Sequence, residues 1–134
     1  MSKFIWPVRV YYEDTDGGGV VYHANYLKFM ERARTEWLRS LGFDQTQLRH
    51  GPGVLFVVRE VRLKYRKPAC FNDSLNVVTE LLGSGRSLLE FGQMILRGEE
   101  TLTEARVEVV CVDAERFKPV AIPPDIREKL MELQ

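Results

Sequence analysis

Histidine and cysteine are scarce in this chain: 134 residues contain two of each. The histidines, His23 and His50, are too few for a histidine-rich metal site, and no H-E-x-x-H pair occurs. Cys70 and Cys111 are far apart in sequence and form no metal-ligand pair, so they read as two reduced thiols. Long apolar runs are missing as well. The longest, Val54-Leu55-Phe56-Val57-Val58, falls far short of the roughly 20 residues of a spanning helix. At the N-terminus Arg9 cuts Phe4-Ile5-Trp6-Pro7-Val8 too early for a signal-peptide core, so cytoplasmic placement is expected. Neither sign of charge is in excess, with 19 Lys and Arg against 19 Asp and Glu. That balance argues against a dedicated nucleic-acid binder. The chain also lacks a G-x-x-x-x-G-K-[ST] phosphate loop, a G-x-G-x-x-G fingerprint and a G-x-S-x-G elbow.

What remains is a globular composition, 45% hydrophobic and 28% charged, with no linker or repeat. One domain spanning residues 1–134 is expected. Residues 7–13 alternate, with Val8, Val10 and Tyr12 on one side and Arg9, Tyr11 and Glu13 on the other, predicting a strand. The Asp/Gly-rich stretch 14–19 is a loop by composition. From Asn25 to Leu41 the chain reads as a helix, with Asn25 as its N-cap and Gly42 as its stop. Tyr26, Met30, Ala33, Trp37 and Leu41 form its apolar stripe, widened by Leu27, Phe29 and Leu38. Residues 54–65, 74–82, 87–96 and 102–112 are strand-like, and their short connections favour antiparallel hairpins. Pro123-Pro124 opens a short C-terminal helix carrying Ile126, Leu130 and Leu133. The economical packing is α+β, one curved antiparallel sheet wrapped around the long helix.

Chemistry concentrates in residues 13–25. A calcium loop is rejected, because counting from Asp14 the twelfth position is Asn25 where a bidentate Glu is needed. An acidic turn and a catalytic carboxylate both fit Asp14 and Asp16. The catalytic reading rests on a carboxylate beside the positive end of a helix. Glycines let the backbone approach a substrate, and first-turn N–H groups can stabilise an oxyanion.

Arg9-Val10, Thr15-Asp16 and Gly19-Val20-Val21, at their spacing, resemble the signature of 4-hydroxybenzoyl-CoA thioesterase-like hotdog proteins. The string from Tyr11 to Asp16 and on from Val20 to Tyr26 is similar to the Tol–Pal-associated YbgC-like branch. Glu31 to Glu36 and Val109 to Asp113 extend the match over nearly the whole chain, and the strand and helix order is that of a hotdog fold. Gly17 departs from the pattern, since relatives often carry Ala or Pro there.

The resemblance implies hydrolysis of an acyl-CoA thioester to free acid and CoA, with no metal or redox cofactor. It implies Asp16, rather than Asp14, as nucleophile or general base, and the His23 N–H as an oxyanion donor with its imidazole as a second functional group. Gly19, Val20, Tyr22 and Asn25 would then border the substrate. It implies a homodimer or homotetramer with active sites at subunit interfaces. Residues 59–67 carry five positive charges and one negative, and alternation sets Arg62, Lys64 and Arg66 on one face opposite Val61, Leu63 and Tyr65. With Arg59 these cations are either a solvated outer strand face or a basic ridge that could hold CoA phosphates. A non-catalytic acyl-CoA or acyl-carrier-protein binding module of the Tol–Pal system is the alternative. A hotdog dehydratase ranks below both, because Glu31 and Glu36 have no His partner. Contacts with acyl carrier protein, lipid-synthesis enzymes and the inner-membrane surface stay open.

Overall fold

The computed structural model describes residues 3–133. Five strands form one antiparallel sheet: β1 (Lys3–Arg9), β2 (Val54–Tyr65), β3 (Ser74–Ser84), β4 (Leu88–Arg97) and β5 (Glu100–Asp113). Their order across the sheet is β1-β3-β4-β5-β2. Three helices accompany it: α1 (Asn25–Ser40), α2 (Gln45–His50) and α3 (Pro124–Glu132). This is the expected α+β hotdog arrangement.

One face of the sheet packs on α1. Leu75, Val77, Leu81, Leu89, Phe91, Ile95, Val107 and Val109 turn to the helix, which buries Tyr26, Phe29, Met30, Ala33, Trp37 and Leu38. Every fourth or third residue of α1 faces the sheet, as the sequence pattern requires. Leu27 is the exception; the predicted stripe includes it, yet it is 40% exposed. Ile126 and Leu130 of α3 are fully buried and close one end of the core. Cys70 and Cys111 are free thiols, and burial pushes Cys111 up to about 11.

Two local expectations need correction. The first strand runs over Lys3–Arg9, not 7–13. Phe4, Trp6 and Val8 supply its inward face, and Pro7 is tolerated because β1 is an edge strand that needs no ladder on its outer side. The chain then turns: Tyr12–Asp14 is a single 3-10 turn, which leaves Tyr12 74% exposed rather than buried. Second, Asn25 is not the N-cap. Ala24 holds that position without a side-chain cap, and Asn25 is the first helical residue with its amide directed elsewhere.

The far edge of the sheet is β2, twelve residues long with a register shift between Val58 and Glu60. Its first part is covered, because the Gln45 side chain accepts the Phe56 N–H at 3.0 Å. From Val58 to Tyr65 no described segment pairs with its outer side.

A charged knot ties the β2–β3 connection to the β4–β5 hairpin. Arg97 bonds Asp73 at 2.7 Å and Glu100 at 2.8 Å, and Lys67 bonds Glu100 at 2.6 Å. Partial burial works against ionisation of Asp73. The Cys70 N–H and the Arg97 guanidinium outweigh it and hold its carboxyl below the usual carboxylate range. Lys67, then Arg97, does the same for Glu100. Carboxyls depressed in the folded state stabilise it above their unfolded pKa, near about 4, and that contribution fades as pH falls through the folded pKa. Thermal melts of the native chain and Arg97→Gln are therefore expected to differ most at neutral pH and to converge below about pH 4.

Candidate active site

The segment before α1 is a tight loop laid against the β2–β3 connection. Asp16 N–H donates to Val20 O at 3.0 Å, and Val21 N–H donates to Ala69 O at 2.8 Å. Gly17 and Gly19 take φ of +89° and +88°, the left-handed region where L side chains are strained. That value at Gly17 is closed to proline, so the turn here is built around glycine. Gly18 has a different reason. Its N–H donates to Asp16 Oδ1 at 2.8 Å, and a Cβ there would lie 3.1 Å from the same oxygen.

The two carboxylates of the loop have separate fates. Asp14 is buried and both its oxygens are used: Oδ2 accepts from Tyr11 N–H at 2.8 Å, Oδ1 from Asn25 Nδ2 at 2.9 Å. It anchors the loop to the first turn of α1. Asp14→Ala leaves the buried Asn25 amide unpaired and is expected to cost about 2–3 kcal/mol in urea unfolding. Asp16 is exposed, and among the described residues its only hydrogen-bond donor is Gly18 N–H, leaving Oδ2 open.

His23 follows in the turn that enters α1. Its carbonyl accepts the Tyr65 hydroxyl at 2.6 Å, while its N–H meets no acceptor among the described residues. The imidazole is exposed, 4.4 Å from the Tyr22 ring by centroid. Tyr26 pins the same corner: its hydroxyl oxygen accepts from Ala69 N–H at 3.0 Å, and its ring meets Tyr65 edge-on at 5.3 Å. A groove of about 270 Å³ opens here, lined by His23, Tyr26, Tyr65, Arg66 and Lys67.

The structure thus brings Asp16, Gly19, Val20, Tyr22, His23 and Asn25 to one corner. The basic ridge behaves differently. Val61 and Leu63 pack against the core, which turns Arg62 and Lys64 to the opposite, convex face of the sheet. Three of its four cations are engaged: Arg59 with Glu108 at 2.6 Å, Arg62 with Glu60 at 3.3 Å, Arg66 with Glu104 at 2.5 Å. Only Arg66 reaches the groove beside His23, joined there by Lys67. Asp14, Tyr26 and Tyr65 carry the geometry of this corner. The sequence pattern marks Tyr26 only as part of the helix stripe and Tyr65 only as lying opposite the cations of β2, and neither signal reports the hydrogen bonds their hydroxyls make.

A second cavity, of about 130 Å³, lies near the start of β2. Trp37 and Leu38 of α1, Phe56 and Val58 of β2 and Phe91 of β4 supply its apolar walls. The Trp37 and Phe91 rings meet edge to face at 5.0 Å. Arg34 also faces it; Nη1 donates to Gln93 Oε1 at 2.9 Å, and burial pushes the guanidinium pKa down while Glu31 pulls it back. Gln93 is itself fixed by Met30 O at 3.0 Å and Thr79 Oγ1 at 2.9 Å.

Residues 10–130 match the model of the thioesterase-like superfamily. The chain belongs to that superfamily. Within it, the chain is 52% identical over 126 residues to the acyl-CoA thioester hydrolase YbgC of Escherichia coli O6:H1, covering 93% of each. It is 45% identical to the acyl-CoA thioesterase YbgC of Haemophilus influenzae, covering 99% of this chain and 98% of the relative. A probable thioesterase from Bartonella henselae has the same fold, with a TM-score of 0.88 and 38% identity over 91% of this chain and all of the other. These similarities place the chain in the YbgC branch and agree with the hotdog architecture of the sheet and helix. No described helix is long and apolar enough to cross a membrane.

Proposed function

We propose that this chain is an acyl-CoA thioester hydrolase whose site is completed by a second copy of itself. The observation that carries the reading is an exposed, half-satisfied Asp16 carboxylate in the same loop as a His23 N–H that meets no acceptor among the described residues. A thioester carbonyl seated at that N–H is polarised as an oxyanion develops, a contribution worth about 10²–10³ in rate for one donor. Asp16 then acts in one of two balanced ways. It attacks the carbonyl carbon, the C–S bond breaks, CoA leaves as thiolate and takes a proton, and water opens the mixed anhydride. Alternatively it takes a proton from an attacking water and returns it to the leaving sulfur. A single turnover in ¹⁸O-labelled water that puts the label on the Asp16 carboxyl and leaves the acid unlabelled marks the first route, with water opening the anhydride at the aspartyl carbonyl. The general-base route labels the acid and never Asp16. A passive acyl binder has no use for this carboxylate.

Support for the second copy comes from β2. Its uncovered part, Val58 to Tyr65, is an open hydrogen-bonding edge ending at the Asp16 corner. Antiparallel pairing of this edge with its own copy about its middle sets Val58 of one chain across from the partner's Tyr65. The cavity behind Val58 then opens beside the partner's Asp16. Within one chain the two are separated by most of β2, about 20–30 Å at the rise of a strand. The homodimer is the smallest assembly that completes the site. Arg66 and Lys67, at the same groove, are the cations best placed for CoA phosphates.

The test is steady-state hydrolysis of a panel of acyl-CoAs by the native chain and Asp16→Asn. Turnover by the native chain and its loss in the variant are expected. Binding of CoA esters by both without turnover by either would instead make the chain an acyl-binding module of the kind proposed for the Tol–Pal system.

A further inference from the structure

The cavity behind Val58 has two properties that bear on substrate choice. It is small: about 130 Å³, close to the roughly 150 Å³ apolar cavity known to take a benzene ring. Its walls are fixed, because Trp37 and Phe91 are buried against each other and pack into the core. It is also not uniformly apolar. Arg34 reaches it from α1 beside the exposed Glu31, whose carboxylate accepts from Thr35 Oγ1, and a guanidinium carries five donors. Among the described residues only its Nη1 has a hydrogen-bond partner, Gln93 Oε1. Gln93 cannot swing away to serve the ligand, since its own amide is held by Met30 O and Thr79 Oγ1. The guanidinium is therefore pre-oriented by Gln93, with Nε and Nη2 left over. A charged donor facing a mostly apolar pocket penalises a ligand that gives it nothing, because its remaining N–H groups then lose water without compensation.

Resting on the thioesterase reading above, we infer that this cavity receives the acyl group, limits it to about six carbons or one aromatic ring, and uses Arg34 to select acyl groups bearing a hydrogen-bond acceptor near their far end. The thioester carbonyl stays at the partner's Asp16 and His23, and the acyl chain enters past Val58. Arg34 is a specificity residue here and takes no part in bond breaking.

The experiment compares hexanoyl-CoA, 5-oxohexanoyl-CoA and palmitoyl-CoA, the first two matched in length and differing in one carbonyl oxygen. For the native chain, kcat/KM is expected to be about 10- to 100-fold higher for 5-oxohexanoyl-CoA than for hexanoyl-CoA. Palmitoyl-CoA should fall at least about 10-fold below hexanoyl-CoA, its tail having no room. In Arg34→Met the ratio of the matched pair should collapse to about one, and Arg34→Lys should recover part of it. A purely structural role for Arg34 would lower both substrates together and keep the ratio. If Arg34→Met does not fold, the native ratios decide alone. A native chain that turns over all three equally overturns this inference while leaving the thioesterase reading intact. A native chain that hydrolyses none of them or any other acyl-CoA overturns that reading first.

Discussion

Asp16→Asn is expected to lower kcat for acyl-CoA hydrolysis by about 10³-fold, with KM changed little. The substitution keeps shape and the Oδ1 acceptor of the Gly18 N–H, so the loop should survive. What disappears is the negative charge and the electron pair on the open oxygen, the one feature both routes need. Because Asp16 is exposed and tied only to its own loop, the melting temperature should stay within about 1–2 °C of the native value. Asp14→Ala should show the opposite pattern, a loss of stability greater than its direct effect on chemistry, since its two oxygens are spent on Tyr11 and Asn25. Measuring kcat and thermal stability for both variants separates a reacting carboxylate from a structural one two residues away.

Val58→Trp is the second change with a large expected effect. Val58 lies at the mouth of the cavity and is 47% exposed in the single chain. A side chain this exposed contributes little to folding, so the fold should tolerate the replacement. The indole would occupy the space the acyl group needs, and kcat/KM should fall about 100-fold for six-carbon acyl groups. Acetyl-CoA, with almost no chain to house, should lose far less. A uniform loss across chain lengths would instead mean that the indole disturbs the pairing of the two β2 edges, where Val58 also lies, and does not act on the acyl path.

Much of this was legible in the sequence, for physical reasons that differ by element. The strands β2 to β5 show through β-branched composition and short connections, and α1 through its spacing of three and four. Both are local signals and the structure reproduces them closely. Alternation over 7–13 places the first strand too late, because the alternating pattern runs on past Arg9 into the turn at Tyr12–Asp14, while upstream Pro7 does not break an edge strand that has no bond to lose on its outer side. Asn25 carries the composition of a cap, but its amide is drawn to Asp14, eleven residues back, by a loop whose closure no spacing rule reports.

The basic ridge shows the same limit on a larger scale. Alternation correctly divides Arg62 and Lys64 from Val61 and Leu63. It says nothing about which face of the sheet holds Asp16. That is settled by residues 20 and 21 pairing with 69 and 70, a contact of high sequence separation. Arg34 was invisible for another reason. A single arginine at the edge of an apolar stripe looks like any solvated helix residue, and its importance comes from Gln93 on β4.

The claim at the centre is that Asp16 of one chain works on an acyl group held in the cavity of its partner. Mixing tests it most directly. Asp16→Asn chains keep an intact cavity, and Val58→Trp chains keep an intact Asp16, so each is nearly inactive alone. Co-refolded in equal amounts, half of the dimers should pair one of each, and every such pair contains one complete site. Hydrolysis of hexanoyl-CoA should then recover to about a quarter of the native rate per chain. If the mixture is no more active than the two variants measured separately, Asp16 and the cavity do not meet across a subunit boundary, and the shared site proposed here is wrong.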